Sequence, residues 1–535
     1  MAWFLLLDKQ KNPLKKIAFL FLFISFISYS QEKISFKVLD KQTKKPIVYA
    51  TVMLKKINRG THADVNGKFE IPKKYKLNGI IRISSIGYKT KEIKLSELNN
   101  KKVHIIYLSV YNNHLDEIVI KTSKKKKRKP LAIEIVRKAI ENILNNYPRE
   151  PHSYIGYYRD YQQPVGDSYQ QKNNYKEKIE FLNVNEAIIE SFDNGFKTDK
   201  LKSKKNQSLL YNYIENDKFI KDSTLTIPYD NADKKFSESV YISPLGGNEL
   251  NILSLTNAIR NYDKMSFSFS NTFNKHFIKN HKFKLKKIVY SDKSPLYEVT
   301  FNSIKGNTSY EYAAFGTIYI SKQDFAIHKL NYNLYYRFKK NPQYSVTIEY
   351  KPIKDKMYLN YITFNNFFEA TNGNYFKIDK TTFNKKKKTF KISFNRPIYL
   401  KSITPIRSKF KIYYKNEKLK VTDVSINEEN SRTLEIQIDR ESLEKINLQN
   451  STYATNFVFD ITNIKDTNGF KINERASIKM NQYREFFVQE VFQNKKLPLN
   501  KDFVDKALPL SKSKITTLKL ENNYWINTPL KASKN

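Results

Sequence analysis

The stretch GTHADVNGKFEI, residues 60–71, carries the turn around which the front of the chain is predicted to fold. Asn66 and Gly67 are residue types that readily accept the positive φ of a tight hairpin, and Asn78-Gly79 repeats the pair. On both sides of these turns, apolar and polar residues alternate with the period of two that is typical of β-strands. The alternating runs are Ile34 to Leu39, Val48 to Leu54, Phe69 to Ile71, Ile80 to Ile86 and Val103 to Leu108. Short strands at this spacing predict a small β-sandwich.

Several short blocks inside this region stand in an order that resembles a known family. They are Asp40-Lys41-Gln42-Thr43, Pro46-Ile47, Ala50-Thr51-Val52, Gly60-Thr61, Asp64-Val65-Asn66-Gly67-Lys68-Phe69, Ser84-Ser85-Ile86-Gly87-Tyr88 and the closing Leu115 to Ile120. The order is similar to that of the carboxypeptidase-like regulatory domain, a module that also begins many TonB-dependent outer-membrane receptors. The resemblance covers residues 31–122 and departs from the family at Phe36, where a glycine is usual. It implies a transthyretin-like sandwich that serves as an accessory or docking module without its own active site.

The composition predicts a mainly β protein of several domains. A chain of 535 residues exceeds what one hydrophobic core usually organises, so roughly two to four domains are expected. The 37 tyrosines and 36 phenylalanines favour pleated surfaces, and glycine is scarce at 13 residues. Because the chain has no cysteine, disulfides, thiolate metal sites, a cysteine nucleophile and a lipidated cysteine are all excluded.

The formal charge of +43 favours an anionic partner such as nucleic acid, a membrane surface or an acidic glycan. Lysine, asparagine, isoleucine, tyrosine and phenylalanine are all abundant together, however, as an AT-rich genome would produce for any function. The charge therefore indicates no function by itself.

An export signal is predicted over residues 1–30. Lys15 and Lys16 precede an apolar run from Ile17 to Ile27, and Ser28-Tyr29-Ser30 offers small residues for a signal peptidase. The apolar run is too short to span a bilayer, and no later segment offers 18 consecutive apolar residues. The predicted protein is exported, begins at Gln31, and lies in the periplasm or associates with the outer membrane. Export also separates the protein from nucleic acid.

A basic linker and a single helix are predicted to follow the sandwich. Lys124 to Lys129 is a self-repelling run before Pro130, which indicates a linker over residues 123–130. A linking helix is predicted over residues 131–147 because apolar residues then recur at helical spacing, at Ile133, Val136, Ile140 and Leu144.

Residues 150–398 are predicted to form a large antiparallel β domain, since strands follow one another with short turns. Its clearest strands are Lys284 to Tyr290, Tyr297 to Asn302, Gly316 to Ile320, Ala326 to Leu334 and Tyr344 to Tyr350. Gly316 to Ile320, followed by Asp324 to Ile327, looks like the repeated edge of envelope proteins with a half-open barrel related to lipoprotein carriers. That likeness implies a concave, aromatic-lined face for an apolar ligand. An ordinary sheet core is the alternative.

Two further regions complete the predicted organisation. Residues 400–480 form a strand-rich block whose spacing and Asp466-Thr467-Asn468-Gly469 turn look like a bacterial Ig-like β module. Residues 481–535 are predicted to be a C-terminal tail.

No catalytic, cofactor-binding or metal-binding residue is predicted. The seven histidines are His62, His104, His114, His152, His276, His281 and His328, and only His114 and Glu117 have a His-x-x-Glu spacing. On a strand these two side chains would point to opposite faces, which prevents shared zinc binding. Asp64 is predicted to bond the loop amides that follow it, because the calcium ligands of an EF-hand are missing around it. No nucleophile elbow, His-Glu-x-x-His helix or phosphate-binding glycine loop occurs.

We therefore expect a non-catalytic cell-envelope protein that binds or docks to an envelope protein or to an apolar or glycan ligand. It needs no cofactor, contacts membranes at most peripherally through charge, and binds no nucleic acid. Two alternatives stay open. One is an unrecognised secreted hydrolase associated with peptidases. The other is an integral outer-membrane β-barrel, although many of the aromatic strands place lysine on both faces.

Overall fold

The computed structural model describes residues 32–99, 101–111, 130–167, 169, 178–200, 203–222, 225, 249–263, 273, 275–306, 312–337, 342–371, 375–384, 387–427, 430–444, 446, 457–474, 477–499, 501–505, 508–517 and 524–530. The predicted signal peptide, residues 1–30, lies outside the described residues. So do the basic run 124–129 and the segment 112–120, which holds His114 and Glu117.

Seven strands build the front module, residues 32–111. They are β1 Lys33–Asp40, β2 Thr51–Leu54, β3 Arg59–His62, β4 Lys68–Pro72, β5 Ile80–Ser84, β6 Lys91–Lys94 and β7 Val103–Leu108, with 3-10 turns at Lys73–Tyr75 and Leu95–Glu97. Two sheets result, ordered β4-β1-β7 and β3-β2-β5-β6. Their inward side chains, among them Phe36, Val52 and Phe69, share one buried core, so the predicted β-sandwich is confirmed.

The tight hairpin predicted at Asn66-Gly67 is wrong. β3 pairs with β2 and β4 pairs with β1, so this turn carries the chain from one sheet to the other. Gly67 has a φ of 72°, and a Cβ there would lie 2.5 Å from the carbonyl oxygen of Val38. Glycine is required by this close backbone approach, and it does not decide which strands pair. Asn78-Gly79 likewise leads from the first sheet into β5 of the second.

The linking helix occurs as two short helices, α1 Ala132–Glu141 and α2 Ile143–Asn146. They are separated at Asn142, whose φ of −91° and ψ of 3° leave the helical region. Their buried side chains, led by Ile135, Val136 and Ile143, pack on the sheet that follows.

The rest of the chain supplies seventeen named strands among the described residues. In chain order they and the intervening helices are β8 His152–Pro164, β9 Leu182–Asp193, β10 Ser208–Glu215, α3 Glu249–Thr256, α4 Lys275–Asn280, β11 His281–Ser291, β12 Ser294–Ser303, β13 Tyr312–Ser321, β14 Ile327–Tyr336, β15 Pro342–Ile353, β16 Lys356–Thr371, β17 Ile378–Asn384, β18 Thr389–Phe394, α5 Ile406–Lys409, β19 Phe410–Tyr414, β20 Glu417–Leu419, β21 Val421–Asn427, β22 Asn430–Ile438, α6 Arg440–Glu444, β23 Phe457–Ile461 and β24 Ser477–Gln493, with 3-10 turns at Leu400–Ser402 and Leu510–Lys512.

Ten of these strands form one large antiparallel sheet, ordered β10-β9-β8-β24-β16-β15-β14-β13-β12-β11. The sheet is open, because its edge strands β10 and β11 do not pair with each other. The chain is therefore mainly β, as predicted. The large sheet, for which a half-open barrel is one expectation, is not closed into a barrel.

The domain boundaries after residue 370 differ from the expected ones. β24 begins at the end of the predicted Ig-like block and continues into the predicted C-terminal tail, yet it occupies the middle of the large sheet between β8 and β16. The strands β17 to β23 form a separate inserted module of two small sheets, β17-β18-β22-β21 and β20-β19-β23, with its own core. This module begins before the predicted start at residue 400. The sequence shows each strand but not its partner, because pairing depends on residues distant in the chain.

Both faces of the large sheet are covered around its strands β8 and β9, whose residues are buried or half-buried. One face, here called the helix face, packs against α1, α2, α3 and α4 in the largest core of the chain. The opposite face, here called the sandwich face, receives Tyr49 and His62 of the front module and the C-terminal segment 524–530. Trp525 of that segment enters the front module's own core. None of the helices in the described ranges is long and apolar enough to cross a membrane.

Candidate functional site

A cavity of about 60 Å³ lies on the helix face, between the sheet and α3. Its walls are mainly apolar and aromatic, and they come from β8, β9, β15, β16, β24 and α3. The wall residues include Tyr154, Ile189, Leu253, Leu359, Ile362 and Phe486. Most of the aromatic side chains on this face belong to the buried core that the sheet shares with the helices.

One end of the cavity is charged. The Asp193 carboxylate accepts two hydrogen bonds from the Arg260 guanidinium, both at 2.9 Å, and its Oδ2 lies 3.3 Å from the Lys200 ammonium. The exposed fractions of Asp193, Lys200 and Arg260 are only 4%, 8% and 5%. Burial would raise the pKa of Asp193, but Lys200 and Arg260 outweigh it and lower this pKa far below its usual value. Two buried cations therefore share one ionised carboxylate.

The chain around Arg260 fixes the guanidinium in place. One of its terminal nitrogens also donates to the carbonyl oxygens of Gly195 and Thr198, at 2.8 Å each. The guanidinium stands 4.9 Å from the ring centre of Phe196. Gly195 has a φ of 87°, and a Cβ there would lie 2.1 Å from the Arg149 carbonyl oxygen, so the loop requires glycine. The surrounding chain thus holds the guanidinium in one position.

The other polar side chains that line this end, among the residues that the structure describes, are neutral. Burial lowers the pKa of His152, and its Nδ1 lies 3.1 Å from the Glu150 carbonyl oxygen. Burial raises the pKa of Tyr350, whose hydroxyl is hydrogen bonded to Asn257 at 3.0 Å. The charged end therefore carries a net positive charge, which suits the binding of an anion. Asp193 is a poor proton acceptor, because a carboxylate of low pKa is a weak base and its oxygens already accept hydrogen bonds.

A second polar cluster lies on the sandwich face and fixes the front module to the large sheet. Arg159 and Glu485 are buried to 1% and 0% exposure, and the guanidinium Nε donates to Glu485 Oε2 at 2.8 Å. The hydroxyls of Tyr49 and Tyr161 donate to the other carboxylate oxygen at 2.8 and 3.3 Å. Since Tyr49 belongs to the front module, its hydrogen bond connects that module to the buried ion pair of the large sheet.

Two further contacts strengthen this interface. Arg59 of β3 donates to Glu490 of β24 at 2.7 Å. His62 packs between the rings of Tyr361 and Phe487, at centroid distances of 5.2 and 5.3 Å. Burial lowers the pKa of His62 to about 3, so the imidazole is neutral at ordinary pH.

The histidines of the described ranges take part in no group of three or more potential metal ligands. His62, His104, His152, His281 and His328 are each buried at separate places. His114 and Glu117 lie outside that part. Asp64 accepts the backbone N–H groups of Asn66 and Lys68 at 2.8 Å each, so its predicted role in the loop is confirmed.

Sequence reasoning missed Asp193, Lys200 and Arg260. Asp193 ends β9 just before the turn glycine Gly195, while Arg260 follows α3 in a different part of the chain. No spacing rule joins them, and each resembles an ordinary surface charge in the sequence. Only the turn pair Asn194-Gly195 offered a local signal that this loop has a defined shape.

Residues 22–120 match the model of the CarboxypepD_reg-like domain, which confirms the carboxypeptidase-like regulatory domain that the motifs predicted. The matched range includes the end of the predicted signal peptide. No curated protein matches the chain.

Three solved structures are similar to parts of the chain. A LolA superfamily protein from Nitrosomonas europaea is 10% identical, covers 44% of this chain and 86% of its own, and has a TM-score of 0.17. A DUF1329 family protein from Desulfovibrio piger is 10% identical, covers 44% and 87%, and has a TM-score of 0.21. The MucA/MucB complex of Pseudomonas aeruginosa gives 7% identity, coverages of 61% and 98%, and a TM-score of 0.14. TM-scores of this size are too low to indicate a common fold.

Proposed function

We propose that this chain is a non-catalytic binding protein of the cell envelope, and that its helix-face cavity takes the anionic head group of a small amphipathic molecule. The location rests on the predicted export signal. The regulatory domain agrees with a binding role, because the family resemblance implies an accessory module without an active site.

The observation that carries the proposal is the sharing of Asp193 by Lys200 and Arg260. A cation removed from water is costly unless an anion compensates it, and here one carboxylate serves two cations. A carboxylate or phosphate entering the cavity would restore the balance. The apolar walls beside it, such as Ile189 and Leu253, would take up the first methylenes of an attached chain.

The size of the cavity limits what enters without movement. About 60 Å³ is less than half of the ~150 Å³ that holds a benzene molecule in an engineered cavity. A head group with a short stem therefore fits, while a longer chain requires α3 to move away from the sheet.

The test compares octanoate with 1-octanol by isothermal titration calorimetry on the mature protein, since both alkyl chains require the same movement of α3 and its cost cancels in the comparison. These ligands share an alkyl chain and differ in the charge of the head group, so octanoate should bind at least about tenfold more tightly. Lys200→Met removes the second cation, keeps the Asp193–Arg260 pair and should abolish this preference. Lys218→Met, at an exposed lysine of the same region, is the matched control and should preserve it.

Equal affinities for octanoate and 1-octanol in the unmodified protein would contradict the proposal. So would a preference for octanoate that survives Lys200→Met. Thermal melts of both variants verify that the loss of binding does not come from unfolding.

A further inference from the structure

A second cavity, of about 410 Å³, lies at one end of the front module and is lined by charged side chains. Five of its lining residues are lysines and one is a glutamate: Lys33, Lys73, Lys76, Lys101, Lys102 and Glu32. Its volume falls within the range of pockets that bind small molecules. We refer to this cavity as the lysine cleft.

The topology of the module brings these lysines together. β1 and β7 are parallel, with Ser35 opposite Val103, so Lys33 at the start of β1 lies beside Lys101 and Lys102, which precede β7. β4 is antiparallel to β1, with Pro72 opposite Lys33, so its end reaches the same edge. The 3-10 turn Lys73–Tyr75 then adds Lys73, and Lys76 follows it. Three separate parts of the chain thus supply cations to one concavity.

Acidic side chains contact two of the lysines in the lysine cleft. Glu32 forms an ion pair with Lys73, and Lys33 lies 3.2 Å from Glu70. His104 packs against Phe36 at a centroid distance of 5.4 Å. Burial lowers the pKa of His104, and the positive charges of Lys101 and Lys76 lower it further. The imidazole therefore adds no positive charge to the lysine cleft.

We propose that the lysine cleft binds a multiply charged phosphate group. A concave surface with charges of one sign concentrates counter-ions more strongly than a flat one, and lysine ammonium groups bind phosphate as point charges. Lysines from three parts of the chain can surround one phosphate group that has several acceptor oxygens, whereas a single carboxylate presents only two. The phosphate is either that of a lipid head group or a free oligophosphate. This site is separate from the helix-face cavity and is independent of the function proposed for it.

The experiment uses the full mature chain. Inorganic pyrophosphate is titrated by calorimetry, and vesicles of phosphatidylglycerol or of phosphatidylcholine are tested by co-sedimentation. The cleft variant Lys76→Gln/Lys101→Gln/Lys102→Gln removes three positive charges. The matched control Lys401→Gln/Lys415→Gln/Lys418→Gln removes three charges from exposed lysines of the inserted module.

We expect the cleft variant to bind pyrophosphate at least about tenfold more weakly and the control variant to retain the original affinity. Pyrophosphate binding without vesicle binding identifies a free phosphate ligand. Binding to phosphatidylglycerol vesicles that pyrophosphate competes away identifies a lipid head group. Equal weakening by both triple variants, or no binding of either probe by the unmodified chain, would overturn the proposal.

The two proposals fail separately. Lys200→Met should leave pyrophosphate binding unchanged, and the cleft variant should leave the octanoate preference unchanged. Thermal melts of the triple variants check the fold, which replacements of surface lysines should leave intact.

Discussion

Replacing Glu485 by glutamine should strongly destabilise the chain, because it removes the charge that compensates a buried guanidinium. Arg159 is 1% exposed and donates to Glu485 from Nε at 2.8 Å, and Tyr49 and Tyr161 donate to the same carboxylate. The amide of Glu485→Gln has the same shape but provides one neutral acceptor. Breaking a buried ion pair from one side costs about 3–5 kcal/mol. We expect a loss of this size in the free energy of unfolding.

Urea denaturation, followed by tyrosine fluorescence and far-ultraviolet circular dichroism, measures the loss. Glu444→Gln is the matched control, since Glu444 pairs with Arg440 at 3.5 Å and the two side chains are 70% and 93% exposed. An exposed pair of this kind contributes about 0.5 kcal/mol or less. The double variant Arg159→Met/Glu485→Met should recover part of the stability, because it leaves no unpaired charge. If Glu485→Gln costs no more than Glu444→Gln, the ion pair does not stabilise the interface.

Two more predictions concern the front module. The pKa of His62 is about 3 in the folded chain, whereas its ordinary value is 6.5. As the pH decreases, the unfolded chain therefore binds a proton at this histidine before the folded chain does. The free energy of unfolding falls for this reason between pH 6.5 and pH 3. Between pH 7 and pH 5 this group should cost about 2 kcal/mol, and urea titrations of His62→Leu should show a smaller pH dependence than those of the unmodified chain. Residues 31–122 expressed alone should melt cooperatively, because the described core of this module consists of its own residues apart from Trp525. A non-cooperative calorimetric trace would show that the module depends on the sheet.

The strands of the front module could be predicted because their signal is local. Ile34 to Leu39 alternates apolar and polar residues in the sequence and falls within β1, and Val103 to Leu108 is β7 in the structure. Side chains that alternate along a strand between core and exterior leave this period wherever one face is exposed to water. In β1 the inward Phe36 and Val38 are buried and Lys37 between them is half-buried. β7 is an exception, because its exposed side chains Val103, Ile105 and Tyr107 are themselves apolar or aromatic. The same rule identified β11 to β15 in the large sheet.

Strand pairing and the two cavities could not be predicted in the same way. The central position of β24 depends on contacts with β8, which lies in a distant part of the chain. The turn at Asn66-Gly67 had the residue types of a hairpin, yet the chain uses it to change sheets. In the helix-face cavity, Arg260 reaches Asp193 through the fold, and neither residue has a neighbour that marks it as functional.

The strand β9 shows why charge in a sequence does not identify an exposed face in this chain. Antiparallel sheets commonly have one face in water. Glu186 and Glu190 are four residues apart and so lie on the same face of β9, which their charges alone would assign to the solvent. Nearly every residue of β9 is nevertheless buried, because helices cover one face and the front module with the C-terminal segment covers the other. Each glutamate accepts a hydrogen bond. The Tyr157 hydroxyl donates to the Glu186 carboxylate and the Lys495 ammonium donates to the Glu190 carboxylate, both at 2.6 Å. Separating the front module from the sheet would break the Arg59–Glu490 ion pair, remove the Tyr49 hydrogen bond to Glu485 and undo the packing of His62. The front module is therefore better described as a fixed layer of the fold than as a mobile appendage.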